Sequence, residues 1–239
     1  EIYLAFPEAA SVFGFDSKDR HRLIDAGAPI APPPVPLPDK AAAREQWGFP
    51  RTGGRVLLIY GGSQGSLVIN RAVAEWVKRG IPDDLYVIWA TGRGTYDQFK
   101  GLDGPRVRVK DYLSPISEAY AASDLALARA GAMTTAELFA WGIPGILIPL
   151  PTAAADHQTL NARALEAAGA AIHLPQSRLT PDELAKTVAD VLASPARMKE
   201  LSAKSALRAR PNAALEIAER IRALIAPGQA QSSRTSSKP

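Results

Sequence analysis

The stretch Val56-Leu57-Leu58-Ile59-Tyr60-Gly61-Gly62-Ser63-Gln64-Gly65-Ser66 decides how this chain is read. Five largely apolar residues in a row suit a strand buried on both faces, and a glycine-rich turn ends it. Beyond the turn, Leu67, Val68, Val73, Trp76 and Val77 recur at helical spacing. Strand, glycine turn, helix is the order in which α/β proteins aim backbone N–H groups and a helix N-terminus at an anion, usually a phosphate. The turn has neither the Gly-Lys-Ser/Thr of a Walker loop nor the spacing of G-x-G-x-x-G. It does match G-x-S-x-G over Gly61–Gly65, so Ser63 is either a hydroxyl donor to a phosphate or a hydrolase nucleophile. A glycine turn with no ligand is the third reading.

Outward from this stretch the same rhythm repeats. Strands are expected at 56–60, 85–90, 107–110, 124–128, 145–149 and 170–174. Helices are expected at 67–79, 115–122, 133–141, 157–168, 181–193 and 196–209, with a further helical region resuming after Pro211. Such alternation predicts an α/β fold: a Rossmann-like parallel sheet flanked by helices. Thr180-Pro181-Asp182-Glu183 reads as a helix start, with a Thr cap, Pro at the first position and Glu at the third.

Residues 1–28 hold a strand-like start at Ile2–Phe6 and a polar stretch around Asp16–Asp25. A chain opening at Glu1 inside a strand is expected to continue a longer one. Residues 29–54 form a connector, because the prolines from Pro29 to Pro38 oppose both helix and ladder. A short helix at 40–48 follows them, and the main domain covers 55–226. The Ser- and Gln-rich end, 227–239, is expected to be disordered.

Bulk properties exclude several classes. Of 239 residues 46% are hydrophobic, enough for a substantial core. No cysteine is present, which excludes disulfides and thiolate metal sites and fits the cytosol. A net charge of +4 without a basic stripe interleaved with aromatics argues against nucleic acid. No apolar run of about 18 residues escapes charges or prolines, so no membrane span is expected. Three scattered histidines in no H-E-x-x-H pattern suggest no metal site.

Two further strand-to-helix junctions carry polar groups. At Arg129-Ala130-Gly131-Ala132 a second glycine turn precedes a helix, with Glu137 about one turn along. A carboxylate there can accept both hydrogen bonds of a vicinal diol such as that of ribose. The third junction is Asp156-His157-Gln158, with Asn161 one turn on; Asp156 by itself would be an N-cap. A hydrolase would need Ser63, then Asp124 or Asp156, then His157 or His173. Here the elbow follows the first strand of the domain and no HGGG-type segment exists, so the phosphate cradle is the better reading.

The three junctions in this order resemble the carboxyl-terminal half of the MurG family, peptidoglycan N-acetylglucosaminyltransferases with a two-domain GT-B fold, of glycosyltransferase family 28. The resemblance runs from Phe6-Pro7-Glu8-Ala9 to about Ala226. It implies one half of a GT-B fold that binds UDP-N-acetylglucosamine as a substrate, with no cofactor and no metal. It implies that Ser63 contacts the diphosphate, that Gly62 and Gln64 beside it belong to the UDP-GlcNAc site, and that the Leu113 backbone meets uracil. By the same resemblance Ala132, Met133 and Thr134 start the donor-binding helix, Glu137 holds the ribose, and His157 and Gln158 face the sugar. Ala31 stands where the family usually has an arginine that can contact the donor. The acceptor, lipid I, the catalytic base and the membrane-facing patch belong to an amino-terminal half, so no catalytic residue is expected in this chain. The family's place is the cytoplasmic face of the bacterial inner membrane, peripherally bound. Two alternatives are a non-catalytic UDP-sugar-binding subunit of a two-chain N-acetylglucosaminyltransferase and an epimerase acting on UDP-GlcNAc.

Overall fold

Val56 to Ile59 are almost wholly shielded from solvent because the strand they form, Arg55–Tyr60 (β3), lies in the interior of a sheet. The structure is a computed structural model and describes residues 1–8, 10 and 19–225. Six strands run parallel: β3, Leu85–Ala90 (β4), Val107–Lys110 (β5), Leu125–Ala128 (β6), Gly145–Leu147 (β7) and Ala171–His173 (β8). Their spatial order is β5-β4-β3-β6-β7-β8. The chain therefore winds outward from β3 on one side, then returns to lay β6 against β3 and winds outward on the other. That reversal opens a crevice beyond the carboxyl ends of β3 and β6.

Alternation along β3 divides the core. Leu57 and Ile59 pack on one face with Trp89, Leu127, Val73 and Leu184. Val56, Leu58 and Tyr60 pack on the other with Ile88, Ala126, Tyr120 and Leu138. Helices Leu67–Arg79 (α2), Ser117–Ala122 (α4), Ala132–Ala140 (α5), Pro181–Leu192 (α7) and Pro195–Leu207 (α8) cover these faces, His157–Ala167 (α6) packs with Phe139 and Leu147 in a third cluster, and Ala213–Ile225 (α9) follows last. In α7 the Thr180 hydroxyl accepts the Glu183 amide at 3.1 Å, the capping expected from the sequence.

All six expected strands are present: β4 and β5 have the expected bounds, β3 begins one residue earlier, and β6, β7 and β8 are shorter. β7 stops at Leu147 rather than residue 149, since Pro149 and Pro151 cannot extend a ladder. A turn of helix at Tyr96–Phe99 (α3) was not expected, because four residues give no periodicity to read. Within the polar stretch around Asp16–Asp25, Leu23–Asp25 (β2) is a strand that pairs in parallel with Ile2–Leu4 (β1). Of that stretch 16–18, like the expected disordered end at 227–239, lies outside the described residues.

The connector is tied to the base of the sheet. Its helix Lys40–Gln46 (α1) places Arg44, 7% exposed, against Asp124, and Lys40 reaches the same carboxylate at 3.2 Å. Asp124 also accepts the Val56 amide at 2.8 Å, so one carboxylate joins α1, β3 and the start of β6. Removing it strands a buried guanidinium and an unpaired amide. Asp124→Ala is expected to lose about 3 kcal/mol of stability in urea unfolding. A loss under about 1 kcal/mol would show that this junction does not hold the base.

Candidate functional site

Because every strand of the main sheet is parallel, each strand-to-helix turn emerges at one edge. The first is the turn Gly61–Ser66. Gly65 has φ +73° and lies so close to the next loop that a Cβ would fall 2.1 Å from the Thr91 carbonyl oxygen. Gly92, φ +85°, makes the reciprocal approach to the Gln64 carbonyl. The turn is thus wedged against the loop after β4, with Gly62, Ser63 and Gln64 left exposed at its tip. The amides of Ser63 and Gln64 make no backbone hydrogen bond. Ser66 caps α2, its hydroxyl accepting the Ile69 amide at 3.5 Å.

The second turn, after β6, leads into α5 with Gly131 at the N-cap and no capping side chain. The first-turn amides of α5 at Ala132, Met133 and Thr134 are therefore open, as the N-terminal positive end of the helix dipole. Met133 is exposed and Thr134 half-buried. Glu137 follows one turn on, where the Tyr120 hydroxyl donates to its Oε2 at 2.8 Å.

Arg129 joins the turns. Its Nη2 donates to Ser66 Oγ at 2.7 Å, and its Nη1 to the carbonyls of Pro149 at 2.9 Å and Ile148 at 3.2 Å. It is 8% exposed and faces no carboxylate among the described residues. Burial pushes its acidity up, that is, its pKa below the usual arginine value. The sequence reading quoted Arg129 within a glycine turn but assigned it no role; nothing in one sequence shows that this arginine lacks an acidic partner.

The third junction is strained. Ala155 (φ 50°) and Asp156 (φ 52°) both sit in the left-handed region, a conformation that costs a non-glycine residue about 1 kcal/mol or more. Asp156 does not bond the helix amides as an N-cap; its carboxylate accepts the Thr159 hydroxyl at 2.6 Å. The twist delivers Gln158 toward the crevice, its Oε1 accepting the Leu150 amide at 3.0 Å, which leaves the amide NH2 free to donate. His157 Nδ1 bonds the Ala154 carbonyl at 2.8 Å, so Nε2 is the free nitrogen.

Gly62, Ser63, Gln64, Thr134 and Gln158 line one cavity of about 580 Å³, together with Arg129 and Gln176. Leu113, Ala132, Met133, Glu137 and His157 do not line it. Leu113 lies in the loop after β5 with its side chain buried in the core, and Glu137 sits deeper along α5. A larger groove of about 870 Å³ lies at the opposite edge, between α2 and α7. It lies among strand starts and a helix carboxyl end, without the N-terminal amides that gather at the smaller cavity.

The hydrolase reading fails on position. Asp124 lies at the base of β6 beside Val56, a strand length of about 15 Å from the turn that carries Ser63. His157 and His173 engage a carbonyl and Glu166, and neither bonds Ser63.

This switch-point crevice on a six-stranded parallel sheet is one half of a GT-B fold. The chain belongs to glycosyltransferase family 28, and its residues 56–220 match that family's C-terminal domain. It is 41% identical over 234 residues to the UDP-N-acetylglucosamine–N-acetylmuramyl-(pentapeptide) pyrophosphoryl-undecaprenol N-acetylglucosamine transferase of Salinibacter ruber. That match takes in 93% of this chain and 59% of the relative, so the chain spans under two thirds of the relative's length. A crystal structure of Acinetobacter baumannii MurG superposes with a TM-score of 0.62 at 30% identity, over 71% of this chain and 52% of that one. A UDP-N-acetylglucosamine 2-epimerase shares the fold at 15% identity, with a TM-score of 0.52 over 82% of this chain and 49% of the other.

The glycine wedge supplies a test. Gly65→Ala forces the loops after β3 and β4 apart, and is expected to destabilise the chain by about 2 kcal/mol in thermal melts. Unchanged stability would mean that the two loops are not in contact.

Proposed function

We propose that this chain is the donor-binding part of an inverting glycosyltransferase. The whole enzyme transfers GlcNAc from UDP-GlcNAc to lipid I, giving lipid II for peptidoglycan. One observation carries the reading: the unbonded amides of the Gly61–Ser66 turn, the uncapped N-terminus of α5 and a buried guanidinium without a carboxylate converge on one cavity. That arrangement is incomplete in charge, and a diphosphate completes it. Ser63 donates its hydroxyl and the Ser63 and Gln64 amides donate to the phosphate oxygens. Gly62, at φ +89°, lets the backbone come close. Glu137 receives the ribose hydroxyls, Leu113 faces the base through its backbone, and His157 and Gln158 hold the sugar.

In the transfer step the C4 hydroxyl of the acceptor attacks the anomeric carbon from the face opposite the diphosphate, and UDP departs with inversion. Negative charge grows on the leaving phosphate oxygens as that bond breaks. Donors fixed in advance in the Gly61–Ser66 turn and at the α5 N-terminus, with Arg129 behind them, stabilise this charge without reorganising. The proposal needs no metal and no cofactor at this site. The proton on the attacking hydroxyl goes to a base outside the residues described, on the part of the enzyme that binds lipid I. That part also provides the peripheral attachment to the cytoplasmic face of the inner membrane; no helix among the described residues is long and apolar enough to cross one.

Isothermal calorimetry of this chain is expected to give heat with UDP and with UDP-GlcNAc; silence with both would overturn the donor site. Glu137→Ala is expected to weaken UDP about tenfold and leave inorganic pyrophosphate unchanged, since its contact is with ribose. Arg129→Met is expected to weaken both ligands, also about tenfold. Equal losses of the two ligands in Glu137→Ala would refute the ribose assignment.

A further inference from the structure

Glu137 stands at the end of a buried chain of hydroxyls that the proposed function leaves without a role. Tyr60, the last residue of β3, and Tyr120, on α4, are 5% and 2% exposed. Their hydroxyls lie 3.1 Å apart, and that of Tyr120 lies 2.8 Å from Glu137 Oε2. A phenol carries one proton. Tyr120 gives its proton to the carboxylate, so Tyr60 must donate to Tyr120, and the chain runs in one direction, Tyr60 to Tyr120 to Glu137. The rings hold the two hydroxyls in place: Tyr120 packs edge-on to Tyr60, with centroids 6.4 Å apart, and tilted against Trp141 at 5.7 Å. Burial pushes both phenols above the ordinary tyrosine value, so neither gives up its proton at physiological pH.

We propose that Tyr120, backed by Tyr60, is a positioning residue that holds the Glu137 carboxylate in the orientation that selects a vicinal diol over a single hydroxyl. This rests on Glu137 being the ribose contact of the proposed function. A glutamate on a helix has three rotatable bonds, and unrestrained it sweeps several directions. One hydrogen bond to Oε2 removes that freedom. It leaves Oε1 and the second lone pair of Oε2 as acceptors with a fixed spacing, which two adjacent hydroxyls match and one does not. The discrimination is therefore built into α4 and the end of β3, outside the cavity lining.

The test is a ratio. Affinities for UDP and 2′-deoxy-UDP are measured by calorimetry on the full chain, as wild type, Glu137→Ala, Tyr120→Phe, Tyr60→Phe and the double variant Glu137→Ala/Tyr120→Phe. Wild type is expected to prefer UDP about tenfold. Tyr120→Phe keeps the ring and its packing, and should cut the preference at least about threefold while 2′-deoxy-UDP affinity stays the same. Tyr60→Phe should move the ratio the same way by less. In the Glu137→Ala background Tyr120→Phe should change nothing further. If Glu137→Ala leaves the wild-type preference intact, the ribose contact itself is wrong. If Glu137→Ala abolishes the preference and Tyr120→Phe does not alter it, the ribose contact stands and the positioning role falls. A loss shared equally by the two nucleotides in Tyr120→Phe marks a structural effect and also overturns the proposal.

Discussion

Arg129 holds the crevice in shape through three bonds, to the hydroxyl that caps α2 and to two carbonyls beyond β7. The partners lie in two segments, the turn after β3 and the stretch after β7, and Arg129 itself stands in the turn after β6. The guanidinium therefore links three turns that are otherwise held by local contacts such as the Ser66 cap and the Gln158–Leu150 bond. Neutral oxygens solvate the charge but do not neutralise it. A cation so enclosed is costly without an anion nearby, and this cost supports the anionic donor of the proposed function.

Everything else at the site follows from sheet polarity. Parallel strands send all their turns to one edge, and the reversal of winding between β3 and β6 leaves space there instead of another helix. Glycines at 65 and 92 then let two loops touch without side chains between them. The opposite edge carries the fixed charge pairs of Asp124 with Arg44 and Lys40. One edge of the sheet is satisfied internally and the other is left to be satisfied from outside.

Much of the fold was legible in the sequence because its signals are local. Apolar runs such as Leu125–Ala128 and capped starts such as Thr180–Glu183 mark elements by themselves, and each glycine turn announces the junction after it. Most site residues that the sequence suggested lie near glycines or helix starts, for the same reason, whereas Leu113 came only from the family resemblance. Arg129, Gln176 and Tyr120 were missed as contributors because their roles depend on neighbours 17 to 63 positions away, or on the cavity they line. The absence of a partner leaves no mark in a chain of letters. Nor does the strain at Ala155 and Asp156: alanine rarely takes the left-handed region, and an aspartate before a helix reads first as an N-cap.

The ion pair at the base of the sheet also fixes where the connector can bend. Lys40 and Arg44 bind α1 to Asp124, and Ala26, Ala28 and Ile30 are buried on the other side. Between these anchors only Ala31 to Pro38 runs exposed or half-buried, and prolines occupy 32, 33, 34, 36 and 38. Such a segment behaves as a strut rather than a leash. A push on its amino-terminal end would reach the base of β3 and β6 through Asp124, with little of the displacement absorbed on the way.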